Sequence, residues 1–151
     1  MQIRDAGAED VEALRGVFRR SSLSNEGDRA SLRAHPEALE FELPGPESTV
    51  RVAVINGSVA GFATTRVLPD GRLELDDLFV EPGAMRGGVG TALVEDMDAW
   101  AQAHGCPSIE VTANPHALAF YERVRFRVCG PAETRFGPAH RMRRAVRPAS
   151  D

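Results

Sequence analysis

The sequence predicts an α/β protein built on a mixed, mostly antiparallel sheet that is flanked by about four helices. Three β-patterned segments follow one another between residues 49 and 80, separated by short turn sequences, which is typical of an antiparallel meander. A strand, a glycine-rich turn, a helix and a further strand then occupy residues 73–113. Such a unit requires a parallel strand pair with a right-handed crossover, so the predicted sheet is mixed.

The length and composition are those of a single globular domain, which we expect over residues 1–147, with residues 148–151 as a frayed tail. No apolar run approaches the roughly 20 residues of a membrane span. The first residues also lack the apolar region of a secretion signal. We therefore expect a cytoplasmic protein that does not bind membranes.

The side chains exclude several kinds of chemistry. All 18 basic residues are arginine, so the chain has neither a Schiff-base lysine nor the phosphate-binding lysine of a P-loop. Cys106 and Cys129 lie far apart and the four histidines are scattered, so we expect no metal site. The C-terminal third is basic, but Arg141 and Arg143 alternate as on the solvent face of a strand. Nucleic acid is therefore not an expected partner.

The N-terminal third predicts a strand at residues 1–4 and a helix over residues 8–20. Apolar residues recur on one face of that helix, as in a surface helix packed on a core: Val11, Leu14, Val17 and Phe18. Residues 21–27 have turn chemistry. Residues 28–39 predict one or two short helices, broken where a proline disfavours the helical backbone of the residue before it.

The meander consists of predicted strands over Thr49–Ile55, Ser58–Val67 and Leu73–Val80. Asn56-Gly57 connects the first two strands and is the strongest short hairpin signal, since both residues accept positive φ. Pro69-Asp70-Gly71 predicts the second turn. Thr49–Ile55 is rich in β-branched residues and alternates, which is typical of a strand.

An amphipathic helix is predicted over residues 89–104, and Gly105 ends it as a left-handed cap. Its apolar positions are expected in the core: Val89, Leu93, Met97 and Trp100. Gly87, Gly88 and Gly90 leave the backbone bare where this helix begins. The first N–H groups of a helix lack internal partners and the helix dipole is positive there, so such an end suits phosphate. A tight entry into the helix is the alternative interpretation of these glycines.

Four further elements complete the chain. A strand is predicted over residues 108–113, followed by Asn114-Pro115 as cap and first residue of a helix that reaches Val124. Residues 126–130 and 139–144 predict two closing strands.

Two motifs, in this order and within this strand–helix pattern, give the whole chain its resemblance to the GCN5-related N-acetyltransferases. Met85 to Gly90 resembles the family's pyrophosphate loop, Q/R-x-x-G-x-G/A, with Met85 at the position where Gln or Arg is usual. The second motif is similar to N-x-x-A-x-x-F-Y-x-x-x-G-F, which this sequence matches at Asn114, Ala117, Phe120, Tyr121 and Phe126. Arg125 replaces the usual glycine, which affects the local path between helix and strand.

The resemblance implies the acyl-CoA N-acyltransferase fold, with a parallel strand pair that splays for the cofactor, and transfer of an acetyl group from acetyl-CoA to a primary amine without a metal. It also implies a cofactor-binding set: Phe79, Val80, Met85, Arg86, Gly87, Gly88, Val89, Gly90, Thr91, Asn114 and Tyr121. In the family the matching tyrosine donates its proton to the coenzyme A thiolate. A core aromatic role for Tyr121 and a purely capping role for Asn114 remain the alternatives.

Carboxylates are the candidates for the catalytic base and for amine binding. The family places catalytic carboxylates at positions matching Glu74 or Asp76, which share a face of their strand. A structural hydrogen bond is the alternative for each. Glu26, in the loop after the first helix, is the candidate for binding the amine, with an exposed loop acid as the alternative.

Charge suggests the kind of acceptor. The segments 24–29 and 74–77 carry five acids against Arg29 alone: Glu26, Asp28, Glu74, Asp76 and Asp77. Negative potential concentrates cations, so we expect a small cationic amine as the partner. A non-catalytic acetyl-CoA-binding sensor or interaction domain is the alternative function, and a homodimer is left open.

Overall fold

The computed structural model describes residues 1–23, 44–85, 87–135 and 137–148. Several predictions fall outside the described residues and are therefore not addressed by the structure: the helices of residues 28–39, most of the turn at 21–27, the tail at 149–151, Glu26, Asp28, Arg29 and Arg86.

The elements of the described chain follow the predicted order. They are β1 (Gln2–Asp5), α1 (Val11–Leu23), β2 (Ser48–Ile55), β3 (Ser58–Val67), β4 (Leu73–Val80), α2 (Val89–Ala103), β5 (Ser108–Ala113), α3 (Leu118–Arg123), β6 (Arg127–Thr134) and β7 (Gly137–Ala145). In the described residues, single turns of 3₁₀ helix precede the helices at Ala8–Asp10, Pro82–Ala84 and Pro115–Ala117.

The strands form one seven-stranded sheet in the order β1-β2-β3-β4-β5-β7-β6. β4 pairs with β5 in parallel, whereas β1–β2, β5–β7 and β6–β7 are antiparallel pairs. The parallel register matches Leu73–Leu75 with Ile109–Val111, and β4 continues beyond it to Val80. The predicted mixed α/β fold is therefore confirmed.

The chain divides into two compact units, of which the first contains residues 1–64 and 77–93 and the second residues 65–76 and 94–151. In the described part of the first unit, α1 packs its apolar face into a core of fully buried side chains: Leu14, Val17, Val52 and Phe62. Phe79 packs edge-on against Phe18, with ring centroids 4.9 Å apart, and lies 5.6 Å from the ring of Phe62. These aromatic contacts fix the end of β4 on the α1 side.

An ion pair anchors the start of α1 to β1. Asp10 is 5% exposed, and both its carboxylate oxygens accept hydrogen bonds from Arg4, at 2.8 and 3.0 Å. The backbone N–H of Gly7 donates a third, at 2.7 Å. The hydrogen bonds from Arg4, reinforced by that from Gly7, lower the pKa of Asp10 to about 2. Because this carboxylate has a lower pKa in the folded protein than in the unfolded chain, the free energy of unfolding depends on pH.

In the second unit, Met97 and Ala101 of α2 are buried, and so are Ile109 and Val111 of β5 and Met142 of β7. The prediction that Trp100 lies in the core was wrong, because its side chain is only partly buried. Its ring instead stacks on His104 one turn later, with centroids 3.8 Å apart and an interplanar angle of 12°. Residues four apart on a helix are neighbours on its surface, which makes this contact possible.

Arg144 is a buried cation in the second unit, with a side chain only 6% exposed. It donates hydrogen bonds to Asp98 and Glu95 of α2, at 2.9 and 3.2 Å. A further one, at 2.9 Å, goes to the carbonyl oxygen of Val124 just after α3. One side chain of β7 thus holds both helices of this unit.

Candidate functional site

The glycine turn before α2 is an open helix N-terminus. The carbonyl of Gly88 accepts the first helical hydrogen bond, from Ala92 at 3.0 Å. The N–H groups of Val89, Gly90 and Thr91 therefore precede any intrahelical partner and lie at the positive end of the helix dipole. Gly87 differs from the expectation, because its N–H already donates to the carbonyl of Ala84 at 3.0 Å.

The shape of the turn depends on glycine. Gly88 has φ of +78°, which L side chains rarely adopt, and a Cβ there would meet no atom within 4 Å. Gly87, Gly88 and Thr91 are exposed, and Met85 beside them is 57% exposed. The residues present fit a phosphate group, since they offer backbone donors, space and a positive dipole at one place.

The end of β4 lies beside this turn. A Cβ added to Gly61 of β3 would be 2.9 Å from the carbonyl oxygen of Phe79 and 2.9 Å from Cγ1 of Val89. The structure thus brings the backbone of Phe79 and the first residue of α2 to the same glycine. The ring of Phe79 is partly buried and packs against the core of this unit.

Glu74, a candidate base, is bound by arginine in the second unit. Nη1 and Nη2 of Arg141 donate to its two carboxylate oxygens at 2.7 and 2.8 Å. The Glu74 side chain is 11% exposed. The hydrogen bonds to Glu74 raise the pKa of Arg141 further above its ordinary value. Glu74 therefore makes the structural hydrogen bonds that the sequence analysis gave as the alternative to a catalytic role.

Glu110 is a buried carboxylate that the sequence reasoning missed. It is 3% exposed and pairs in register with Glu74 across the parallel strands. It accepts hydrogen bonds from Arg141 at 3.2 Å, from Arg143 at 3.5 Å and from Arg72. The available signal was an acid inside the apolar strand Ser108–Ala113, since a buried carboxylate needs partners.

Asp76 has a less restricted environment than Glu74. One of its oxygens accepts a hydrogen bond from Nε of Arg66 at 2.9 Å, and its side chain is 31% exposed. A single contact to an exposed arginine contributes little to stability, in contrast to the paired contacts of Glu74.

Tyr121 lies on α3 and is 7% exposed. Its ring makes edge contacts with Phe120 and Phe126, each with centroids 5.2 Å apart. Asn114 is the N-cap of the 3₁₀ turn and has an extended backbone, as predicted. Its side chain makes no capping hydrogen bond, so that part of the prediction was wrong. The α-helix itself begins only at Leu118, because Pro115 opens a tighter first turn.

Arg125 occupies the position of a left-handed residue after α3. Its φ is +71°, the region in which glycine has no steric penalty. The helix-to-strand path therefore keeps the shape that a glycine would give it, although an arginine stands there.

Within the described residues no group of three or more His, Cys, Asp or Glu side chains is placed to hold a metal ion. Cys106 is buried and Cys129 is exposed, and both are free thiols. No helix in the described part of the chain is long and apolar enough to cross a membrane.

Comparisons with known proteins agree with this geometry. The model of the acetyltransferase (GNAT) family matches residues 13–126. The chain is similar to an aminoglycoside 6'-N-acetyltransferase solved with coenzyme A, at 16% identity and a TM-score of 0.76, over 100% of both chains. It is also similar to the ribosomal-protein-S18-alanine N-acetyltransferase of Escherichia coli, at 21% identity and a TM-score of 0.74, over 99% of this chain and 96% of the other.

A GCN5-related N-acetyltransferase from Kribbella flavida is 27% identical, with a TM-score of 0.71, over 96% of this chain and 97% of the other. No curated protein sequence matches the chain significantly. The family match covers most of the chain, including the glycine turn, α2 and Tyr121. This chain belongs to the GNAT family of acetyltransferases.

Proposed function

We propose that the protein is an acetyl-CoA-dependent N-acetyltransferase that acts on a primary amine. The observation that carries this proposal is the exposed glycine turn at the start of α2, whose first N–H groups have no partner within the helix, in a member of this family. A structural neighbour was solved with coenzyme A, which is consistent with the proposal. Bound acetyl-CoA supplies the acetyl group as an activated thioester.

The chain's own residues have separate roles toward that ligand. The N–H groups of Val89, Gly90 and Thr91 donate to the pyrophosphate, and hydrogen bonds to a charged group contribute about 1.5–3 kcal/mol each. Gly87 and Gly88 provide room for its approach. The remaining proposed contacts are the backbones of Phe79 and Val80 toward the pantetheine arm, and Met85, Arg86, Asn114 and Tyr121.

We assign the acid role to Tyr121. Its Oη carries the proton that a leaving thiolate requires. Its near-complete burial and its two ring contacts hold the side chain in one orientation. A positioned general acid contributes about 10²–10⁴-fold to rate.

We assign the base role to Asp76 rather than Glu74. An alkylammonium titrates near 10.4, so a base must remove a proton before the amine can react. Both oxygens of Glu74 are bound by Arg141, whereas Asp76 has one arginine contact and greater exposure. The acidic limb of the pH–rate profile is therefore expected to disappear in Asp76→Asn and to persist in Glu74→Gln. Persistence of that limb in both variants would move the base to a water chain or another residue.

A small cationic amine is the acceptor we propose. Support comes from the acidic residues of segments 24–29 and 74–77, two of which, Glu74 and Asp76, have their charges offset by arginines. Two of the structural neighbours, an aminoglycoside 6'-N-acetyltransferase and a ribosomal-protein-S18-alanine N-acetyltransferase, are only 16% and 21% identical to this chain. At this identity they support the fold and carry no argument about the acceptor. We expect kcat/KM for a cationic amine to fall as salt rises, because steering is screened over about 10 Å at 0.1 M. A preference for anionic or neutral amines, measured with thiol detection, would overturn this choice.

Binding of acetyl-CoA, measured by calorimetry and thermal unfolding, tests the function directly. Ligand at 100 times its dissociation constant should stabilise the protein by about 2.7 kcal/mol. Thr91→Asp places a negative charge among the proposed donors and should weaken binding strongly. Ala103→Asp, at the exposed far end of the same helix, is the matched control and should leave affinity unchanged. Absence of any shift at millimolar acetyl-CoA would refute the proposal, and binding without thiol release across an amine panel would assign a non-catalytic role.

A further inference from the structure

Gly61 is a glycine that the backbone itself does not require. It lies in the middle of β3, and its φ is not in the left-handed region. An added Cβ would nevertheless be 2.9 Å from Phe79 O, 2.9 Å from Val89 Cγ1 and 3.4 Å from Leu93 Cδ1. Contacts below 3.0 Å are essentially never seen for a real Cβ, so a methyl group here must displace something. Space is therefore the property that selects glycine at this position.

The atoms around Gly61 have little freedom to move. Phe79 O belongs to the backbone of β4, and the ring of the same residue is held by Phe18 and Phe62. Val89 and Leu93 are 0% and 1% exposed, so the first turn of α2 is packed onto the sheet at this point. Close-packed interiors transmit a volume change of even one methyl group to their neighbours.

We propose that Gly61 is a positioning residue for the acetyl-CoA site, an inference that rests on the proposed function. It sets the distance between the β4 backbone at Phe79 and the helix start at Val89, which are the two parts of the first unit assigned to the cofactor. A side chain at Gly61 displaces one of these relative to the other. Hydrogen bonds depend steeply on distance and angle, so displaced N–H donors bind phosphate more weakly.

Gly61→Ala tests this inference through binding rather than turnover. We expect the dissociation constant for coenzyme A, measured by calorimetry on protein shown to be folded by circular dichroism, to rise about tenfold or more. The KM for acetyl-CoA should rise in parallel, while the KM for the amine at saturating acetyl-CoA stays within twofold. A general loss of structure would instead affect both KM values. Gly83→Ala is the matched control, because a Cβ there meets no atom within 4 Å, and it should bind like the unmodified protein.

A second variant removes one of the two close contacts. Val89→Ala deletes Cγ1, so the double variant Gly61→Ala/Val89→Ala should bind coenzyme A more tightly than Gly61→Ala alone. If Gly61→Ala does not fold, Val89→Ile introduces bulk toward Gly61 from the helix side and should weaken binding in the same way. Wild-type affinity in Gly61→Ala, or in Val89→Ile, overturns the inference. Failure of the unmodified protein to bind coenzyme A would instead refute the proposed function, so the two failures are distinguishable.

Discussion

Arg141 allows a sharp test of the charge cluster in the second unit. Arg141→Met removes the two hydrogen bonds, of 2.7 and 2.8 Å, that Glu74 receives. Glu110 keeps Arg143 and Arg72, whereas Glu74 becomes a nearly buried carboxylate beside another one. Leaving a buried charge without its partner costs about 3–5 kcal/mol. The Arg141 side chain is 28% exposed, so in the variant water can replace part of its hydrogen bonding to Glu74. We therefore expect the free energy of unfolding to fall by about 2–4 kcal/mol.

Urea unfolding at pH 7 and pH 5 measures this loss. A desolvated carboxylate without its counter-ion takes up a proton more readily in the folded protein than in the unfolded chain. The deficit of Arg141→Met should therefore shrink as pH falls from 7 to 5. Adding Glu74→Gln removes the charge and should recover most of the lost free energy of unfolding at pH 7. Arg127→Met, at an exposed strand position, is the control and should stay within about 0.5 kcal/mol of the unmodified protein.

Two results would contradict the reasoning. A loss below about 1 kcal/mol at pH 7 would mean that the ion pair contributes no more than a surface pair does. A deficit that is equal at both pH values would mean that packing of the arginine stem, and not charge, is responsible.

Three further predictions concern single side chains. Tyr121→Phe should lower kcat about 10²-fold with unchanged affinity for coenzyme A; unchanged kcat would make it a core aromatic only. Asp10, whose pKa is about 2, contributes stability that is present above its unfolded value of 3.8 and is lost as pH falls toward 2. Asp10→Asn should therefore lower the free energy of unfolding by about 1–2 kcal/mol at pH 7, allowing for the partly exposed partner, and a gap that does not close near pH 2 would contradict the pairing. Arg125→Gly should raise the free energy of unfolding by roughly 0.5–1 kcal/mol, because glycine adopts the positive φ of this position without steric cost. A lower free energy of unfolding in urea would argue against backbone strain at Arg125.

Local signals predicted the central strands well. The structure gives β3, β4 and β5 the predicted bounds, Ser58–Val67, Leu73–Val80 and Ser108–Ala113. Alternating or apolar runs bounded by turn residues determine such strands within a few residues of sequence. β6 was predicted to end at Gly130 but continues through Pro131 to Thr134. It is the last strand in the sheet order, and an edge strand tolerates a proline that a central strand does not.

The ion pairs of the candidate site could not be predicted in the same way. Glu74 and Arg141 are 67 residues apart in the chain. Their meeting depends on the register of β5 with β7, in which Thr112 lies opposite Arg141. Alternation along β7 indicates which residues share a face, but not which carboxylate of another strand lies beneath them. The prediction that Arg141 faces solvent was wrong for this reason.

The absence of lysine bears on this arrangement. A guanidinium presents planar paired donors that bind both oxygens of a carboxylate, and it remains charged when partly buried, whereas an ammonium does neither as well. Arg141 binds Glu74 in this manner and also reaches Glu110, so one side chain neutralises two adjacent buried acids. The same contacts occupy the lone pairs that a general base must use. The residue that makes Glu74 tolerable in a central strand is therefore also the reason why we propose Asp76, and not Glu74, as the base.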